Sequence, residues 1–246
     1  MSIKSKNKIR LFVNAVLEPS SRITLPEEAS HYLCNVMRLG AGEVIACFNN
    51  AAGEFDCRIE KAHKKQTEVL VLQQNRKYIP VPDIWVLFAP VKKDKTDFIV
   101  EKSVELGCRL LQPVITERTV VDKIRGDRYQ AQAVEAAEQC RRVDLPEIAP
   151  AAPLAEILAH WDCGRTLFFM DETGNGISAV RAFDERKGCP AALLVGPEGG
   201  FSPSELELLR SLPYARAVSL GPRILRAETA VAAALSVWQS VAGDWR

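Results

Sequence analysis

Histidine is scarce in this sequence. His31, His63 and His160 are the three present, and they stand far apart, which argues against a metal site built on imidazoles. The seven cysteines, an odd number, include no C-x-x-C pair, so neither a zinc ribbon nor a disulfide framework is expected. They read as reduced thiols, mostly in apolar surroundings, of a cytoplasmic protein. Long apolar runs are missing as well. No stretch approaches membrane-spanning length. The basic start MSIKSKNKIR leads into a short apolar run broken by Asn14, Glu18 and Pro19, which argues against a secretory signal. Nor is charge of one sign in excess, with 32 Lys and Arg against 31 Asp and Glu. An RNA partner would need basic residues concentrated locally. These absences imply no metal and no membrane, and the 47 % hydrophobic and 26 % charged composition is that of an ordinary globular enzyme.

What is present divides into two textures. Residues 1–74 are rich in candidate strands, at 10–16, 22–25, 43–48, 54–60 and 67–72, with Asn49-Asn50-Ala51-Ala52-Gly53 as a hairpin turn. One helix interrupts them at 26–39, carrying Tyr32, Leu33, Val36 and Met37 on one side and stopping at Gly40. Several short strands and one helix suggest a small barrel. Residues 75–82, with Pro80 and Pro82, read as a linker.

From Asp83 strands alternate with helices. Strands are expected at 84–91, 110–115, 166–170, 191–195 and 215–220, and helices at 96–106, 127–142, 154–160, 177–187, 202–210 and 226–241. Such alternation implies a parallel sheet covered on both faces, with ligands at the carboxyl ends of its strands.

Two segments fall at such strand ends. In LLVGPEGGFSPSELELL, Leu193 to Leu209, an apolar strand meets Gly196-Pro197-Glu198-Gly199-Gly200 and then a capping box, Ser202 with Glu205. In SLGPRILRAETA, Ser219 to Ala230, another strand end leads into the last helix. Neither glycine loop has the spacing of a P-loop or a dinucleotide fingerprint. Each allows a tight turn as one reading and a ligand loop as the other. Leu220, Ile224 and Leu225 as walls beside exposed backbone suit a flat ring such as adenine.

These two segments, in this order, resemble the SPOUT-class RNA methyltransferases of the RsmE family. The resemblance extends to KKDKTDFIVEKSVELGC (92–108), EAAEQCRRVDLPEI (135–148), RLFV (10–13) and HYLCNVMRLGAGE (31–43). It implies an α/β protein with an N-terminal PUA-like β-barrel for RNA (1–74), the linker (75–82) and a SPOUT-type parallel α/β domain with a trefoil knot (83–246). The implied activity is S-adenosylmethionine-dependent methylation of uracil N3 in the 16S rRNA of the 30S subunit, by a homodimer. Another SPOUT target, a ribose 2′-oxygen or a tRNA, and a non-catalytic RNA-binding dimer are the alternatives.

The resemblance assigns Gly196, Leu220, Gly221, Ile224 and Leu225 to the cofactor, with Gly199 and Gly200 allowing close backbone approach. Glu198 is expected to hold its loop through backbone N–H groups. Arg226 sits at a helix start, where a cation opposes the macrodipole. It is read as the partner of an RNA phosphate or of a developing uracil anion, against a plain salt bridge to Glu228. Lys92, Lys93 and Lys95 break the same rule and are read as phosphate contacts, against a solvated patch. Glu138, Gln139 and Arg142 share one helical face with Glu135. Arg142 is a second candidate for the anion, Glu138 or a water for the N3 proton, and Gln139 for the substrate surface, against an ordinary i,i+4 pair. Arg118 joins the same rim, and Arg10, His31 and Arg38 are RNA contacts by the family match. The last helix is apolar on more than one side, so either a second subunit or the domain's own first helix must cover it.

Overall fold

The computed structural model describes residues 9–121 and 124–245. Most of the basic start (residues 1–8) lies outside them. Two compact units emerge. The first runs to Pro80 and takes in Ala137–Leu145; the second comprises Val81–Ala136 and Pro146 onward.

In the first unit, β1 (Arg10–Phe12) and β2 (Arg22–Thr24) precede α1 (Glu27–His31), which passes into a π-helical turn, Tyr32–Val36. β3 (Val44–Asn49), β4 (Gly53–Lys61) and β5 (Glu68–Arg76) follow. The strands form one sheet in the order β1-β3-β4-β5-β2. It is mixed: β1 runs parallel to β3 and the other pairs are antiparallel, which makes a half-barrel. Its core includes Leu11, Ile23, Leu33, Ile45, Ile59, Val69 and Val71. Burying each such side chain contributes roughly 1.5–3 kcal/mol.

The expected helix at 26–39 is shorter than its pattern suggested. The π turn widens the helix and shifts the register, so Leu33 is buried while Tyr32, Val36 and Met37 stay exposed. β5 continues to Arg76, past the start at 75 expected for the linker.

The second unit begins with β6 (Ile84–Phe88), α2 (Lys93–Glu105), β7 (Leu110–Ile115) and α3 (Gly126–Cys140), whose last turn belongs to the first unit. Next come β8 (Glu147–Ile148), β9 (Ala152–Pro153), α4 (Leu154–Ala159), β10 (Thr166–Met170), β11 (Ile177–Ser178) and α5 (Ala179–Asp184). β12 (Ala191–Val195), α6 (Pro203–Ser211), β13 (Ala215–Ser219) and α7 (Ala227–Val241) complete it. Its sheet is parallel, in the order β11-β13-β10-β12-β6-β7-β8, with β9 on β7. β12 is buried along its whole length, as a central parallel strand should be. The capping box forms as the sequence requires: Ser202 Oγ accepts from the Glu205 N–H, and Glu205 accepts from the Ser202 N–H.

Two expectations change and one open choice is settled. The helix at 177–187 begins with strand β11, and Ser178 caps the shorter α5. The apolar girth of α7 is covered within its own unit, against α2, α5, β6 and β12. That helix therefore supplies no separate argument for a second subunit. Among the cysteines, Cys47, Cys57 and Cys108 are buried, but Cys140, Cys163 and Cys189 are exposed.

Candidate active site

β13, β10 and β12 are neighbours in the sheet, and each ends in a loop at the same edge. Parallel neighbours bring their following loops together, so three segments distant in sequence share one place. The loops around Asp171–Gly174, Gly196–Gly200 and Leu220–Arg226 enclose a cavity of about 600 Å³. That volume is typical of a small-molecule site. Val195, Phe201, Leu206 and Val218 supply apolar wall, and Ala227 and Ala230 of α7 close one side.

Of the residues assigned to a cofactor, Gly196, Gly200, Leu220, Gly221, Ile224 and Leu225 line this cavity. Gly221 has φ +111°, a conformation L side chains rarely adopt, and no atom lies within 4 Å of where its Cβ would be. The backbone, rather than crowding, calls for glycine there. Gly199 is a correction. It does not line the cavity, and its carbonyl accepts from Arg118 at 2.7 Å on the other side of the loop.

Arg226 lines the cavity, is exposed and occupies the N-cap of α7 in extended conformation. The alternative, a salt bridge to Glu228, is absent among the described residues. The helix end therefore does not account for this cation. Lys92 and Lys95 line the same cavity and Lys93 does not. Lys95 pairs with Glu198, which corrects the expected role of Glu198: it holds an ammonium, not backbone N–H groups. That hydrogen bond and the charges of Lys95, Lys92 and Arg226 hold the Glu198 carboxyl below the usual carboxylate range.

Glu138, Gln139 and Arg142 lie elsewhere, in the segment that joins the first unit. Arg142 is buried and paired with Asp144, Nε to Oδ1 at 2.7 Å. Glu138 Oε1 accepts from the Phe12 N–H at 3.0 Å. Both are built into structure, which removes the geometric case for the anion and proton roles; Gln139 is exposed on the same turn. Arg10 is corrected likewise. Its Nε donates to Glu54 at 2.6 Å, and its terminal nitrogens donate to the carbonyls of Ala137, Glu138 and Arg142. The guanidinium stacks over Phe48 at 4.4 Å. It caps the carboxyl end of α3, where a cation suits both the unpaired carbonyls and the dipole. His31 and Arg38 remain exposed on the first unit.

The sequence reading missed the third loop. Asp171 is buried, which raises its pKa, but hydrogen bonds from Arg210 and Thr173 outweigh burial and leave it lowered. Gly176 lets this loop pass beside β13: a Cβ there would lie 2.6 Å from the Val218 carbonyl carbon. A signal was present in Gly174-Asn175-Gly176-Ile177-Ser178-Ala179, a G-x-G-x-x-A run between a strand and a helix. Among the described residues no group of three or more His, Cys, Asp or Glu is placed to hold a metal ion.

Comparison with known proteins agrees with this geometry. The family model for an RNA methyltransferase domain matches residues 77–239, and that for an RNA methyltransferase PUA domain matches 25–72. Ribosomal RNA small subunit methyltransferase E of Buchnera aphidicola (subsp. Schizaphis graminum) is 30 % identical over 96 % of this chain and 97 % of its own. The Rickettsia conorii protein of the same name is 29 % identical over 92 % and 93 %. The Neisseria gonorrhoeae ribosomal RNA small subunit methyltransferase E, solved with S-adenosyl methionine bound, superposes with a TM-score of 0.89 at 28 % identity, covering 98 % of this chain and 100 % of that one. A Legionella pneumophila methyltransferase structure with the same cofactor gives 0.88 at 30 % identity, over 97 % and 100 %. The three-loop cavity and these matches together place the chain in the ribosomal RNA small subunit methyltransferase E family of SPOUT-class RNA methyltransferases.

Proposed function

We propose that this protein methylates N3 of a uridine in the 16S rRNA of the 30S subunit, using S-adenosylmethionine held in the three-loop cavity. The observation that carries the proposal is the convergence of the β10, β12 and β13 loops beside Arg226, a cation that the helix end does not need. The donor set suits the group. Exposed backbone of the Gly196–Gly200 and Leu220–Leu225 loops answers the polar edge of an adenine, and Leu220, Ile224 and Leu225 answer its faces. When bound, S-adenosylmethionine supplies an electrophilic methyl group on a sulfonium.

Uracil N3 carries a proton at neutral pH, and that proton would pass to water so that N3 could accept the methyl group that the bound cofactor would supply. Arg226 stabilises the negative charge that develops on the ring, a preorganised contact worth about 3 kcal/mol of barrier. Lys92 and Lys95 hold RNA phosphate at the rim, with Lys93 beyond it. His31, Arg38 and Gln139 are RNA contacts of the first unit in the same reading. The trefoil knot, the homodimer and a cytoplasmic location belong to the same proposal and rest on the family resemblance.

Incubating 30S subunits with methyl-labelled cofactor, followed by nucleoside analysis, tests the reading. Label on N3 of uridine supports it. Label on a ribose supports another target, and no label supports a binding protein.

A further inference from the structure

Asp171, Glu172 and Glu198 bring three carboxylates to the wall of the three-loop cavity. Two of them are committed. Asp171 accepts from Arg210 Nη2 at 2.8 Å and from the Thr173 N–H at 2.8 Å, and Glu198 is paired with Lys95. Glu172 has no hydrogen-bond or ion-pair partner among the described residues. Its place is nevertheless set from two directions. The ion pair of Asp171 with Arg210 anchors the backbone just before it. Gly200 receives its carboxyl group: a Cβ there would collide with Glu172 Oε1, and Gly200 stands at φ +67°. A carboxylate is thus laid against the glycine loop, on the cavity wall, with no cation of the protein's own.

We propose that Glu172 grips the ribose of the bound cofactor, its two oxygens accepting from the 2′- and 3′-hydroxyls, and so determines specificity for a nucleoside with an intact diol. The inference rests on the cofactor part of the methyltransferase reading. An ionised carboxylate only accepts hydrogen bonds, and it presents two oxygens side by side. A vicinal diol presents two donors side by side. Bonds to an ionised acceptor are shorter and roughly twice as strong as neutral ones. Location selects the diol over the cofactor's other donors. The adenine belongs between the Gly196–Gly200 and Leu220–Leu225 loops, and Glu172 touches Gly200. The ribose is bonded directly to the adenine, whereas the α-ammonium group stands at the far end of the methionine chain. The lack of a cation beside Glu172 then has a reason, since a paired carboxylate would have to give up its partner before taking a ligand. Glu172 is exposed, so its unpaired charge costs little before the cofactor arrives.

The probes are S-adenosylhomocysteine, 5′-methylthioadenosine, adenosine, 2′-deoxyadenosine and 3′-deoxyadenosine, titrated by calorimetry directly or by displacement. On the wild-type protein each deoxy analogue should bind about tenfold more weakly than adenosine. Glu172→Ala should weaken S-adenosylhomocysteine and 5′-methylthioadenosine alike, by about tenfold to a hundredfold, and shrink the deoxy penalty to about twofold or less. Its urea midpoint should stay that of the wild-type protein. Glu172→Gln, which keeps one acceptor oxygen, should fall between. Unchanged S-adenosylhomocysteine affinity in Glu172→Ala overturns the proposal. So does a deoxy penalty that survives the substitution. A loss that spares 5′-methylthioadenosine overturns it as well and assigns the carboxylate to the α-ammonium group. No RNA enters these titrations. If they come out as expected while 30S subunits gain no label, the functional reading fails and the ribose contact stands. If uridine N3 is labelled while Glu172→Ala binds every probe normally, the reading stands and the ribose contact fails.

Discussion

Arg142 and Arg226 looked alike in the sequence, two arginines in motifs that matched one family, and the structure gives them opposite surroundings. Arg142 is buried, paired with Asp144, in a segment whose carbonyls are gripped by Arg10 and Arg76. Arg226 is exposed at the N-cap of α7, where the helix gains nothing from a cation. The difference teaches which charge to suspect. An arginine whose donors complete a helix terminus is accounted for by folding. One that opposes the helix dipole, in a cavity wall, is the one to test for a ligand.

Removing the buried side of this comparison should have the largest effect. Arg142→Ala removes the ion pair that buried Asp144 makes with Arg142, which typically costs about 3–5 kcal/mol. Urea unfolding should show that loss; a wild-type midpoint would mean the pair is dispensable. Arg226→Ala should do the reverse. Stability and S-adenosylhomocysteine affinity should be preserved while the single-turnover rate falls about a hundredfold, or about 3 kcal/mol. Lys93→Ala, outside the cavity, is the control. It should weaken RNA binding and its salt dependence without a comparable loss of saturated turnover. If both arginine variants merely unfold, or both merely slow turnover, the distinction collapses.

A smaller effect is expected at Gly221. Gly221→Val forces a branched side chain into φ +111°, at a cost on the order of 1–3 kcal/mol, and calorimetry should find cofactor binding lost. Unchanged binding would place the cofactor elsewhere. The smallest stability effect should come from Arg141, which follows α3 with φ +62°. Arg141→Gly suits that left-handed position and should stabilise by up to about 1 kcal/mol in urea, whereas Arg142→Ala one residue later destabilises. The last test is the pH dependence of the Lys95–Glu198 pair. The Glu198 pKa is lower in the fold than in the unfolded chain, so the stabilisation is present above the unfolded value. It is lost as pH falls through the folded one. A Glu198→Gln variant should match the wild-type protein in strong acid and differ from it near neutrality.

Much of the fold was legible because its signals are local. The alternation after Asp83, the fully apolar Ala191–Val195 strand and the Ser202–Glu205 capping box each lie within a few residues, and each formed. The glycine loops were legible for the same reason, since a turn at a strand end announces itself in composition. The π turn at Tyr32–Val36 was not, because Tyr32, Val36 and Met37 also fit an ordinary apolar helix face.

By itself the sequence determined the two textures, the order of the longer strands and helices, and two of the three loops that build the site. Tertiary structure decided which side of a loop each residue faces, separating Gly199 from Gly196 and Gly200. It brought the Asp171–Gly174 loop beside the other two, because β10 lies between β12 and β13 in the sheet although it precedes both in the chain. It also turned Arg10 into a cap for a helix 127 residues away. Local patterns record only what neighbours a few residues apart require, whereas an arginine's donors go to whatever carbonyls the folded chain leaves unsatisfied within reach.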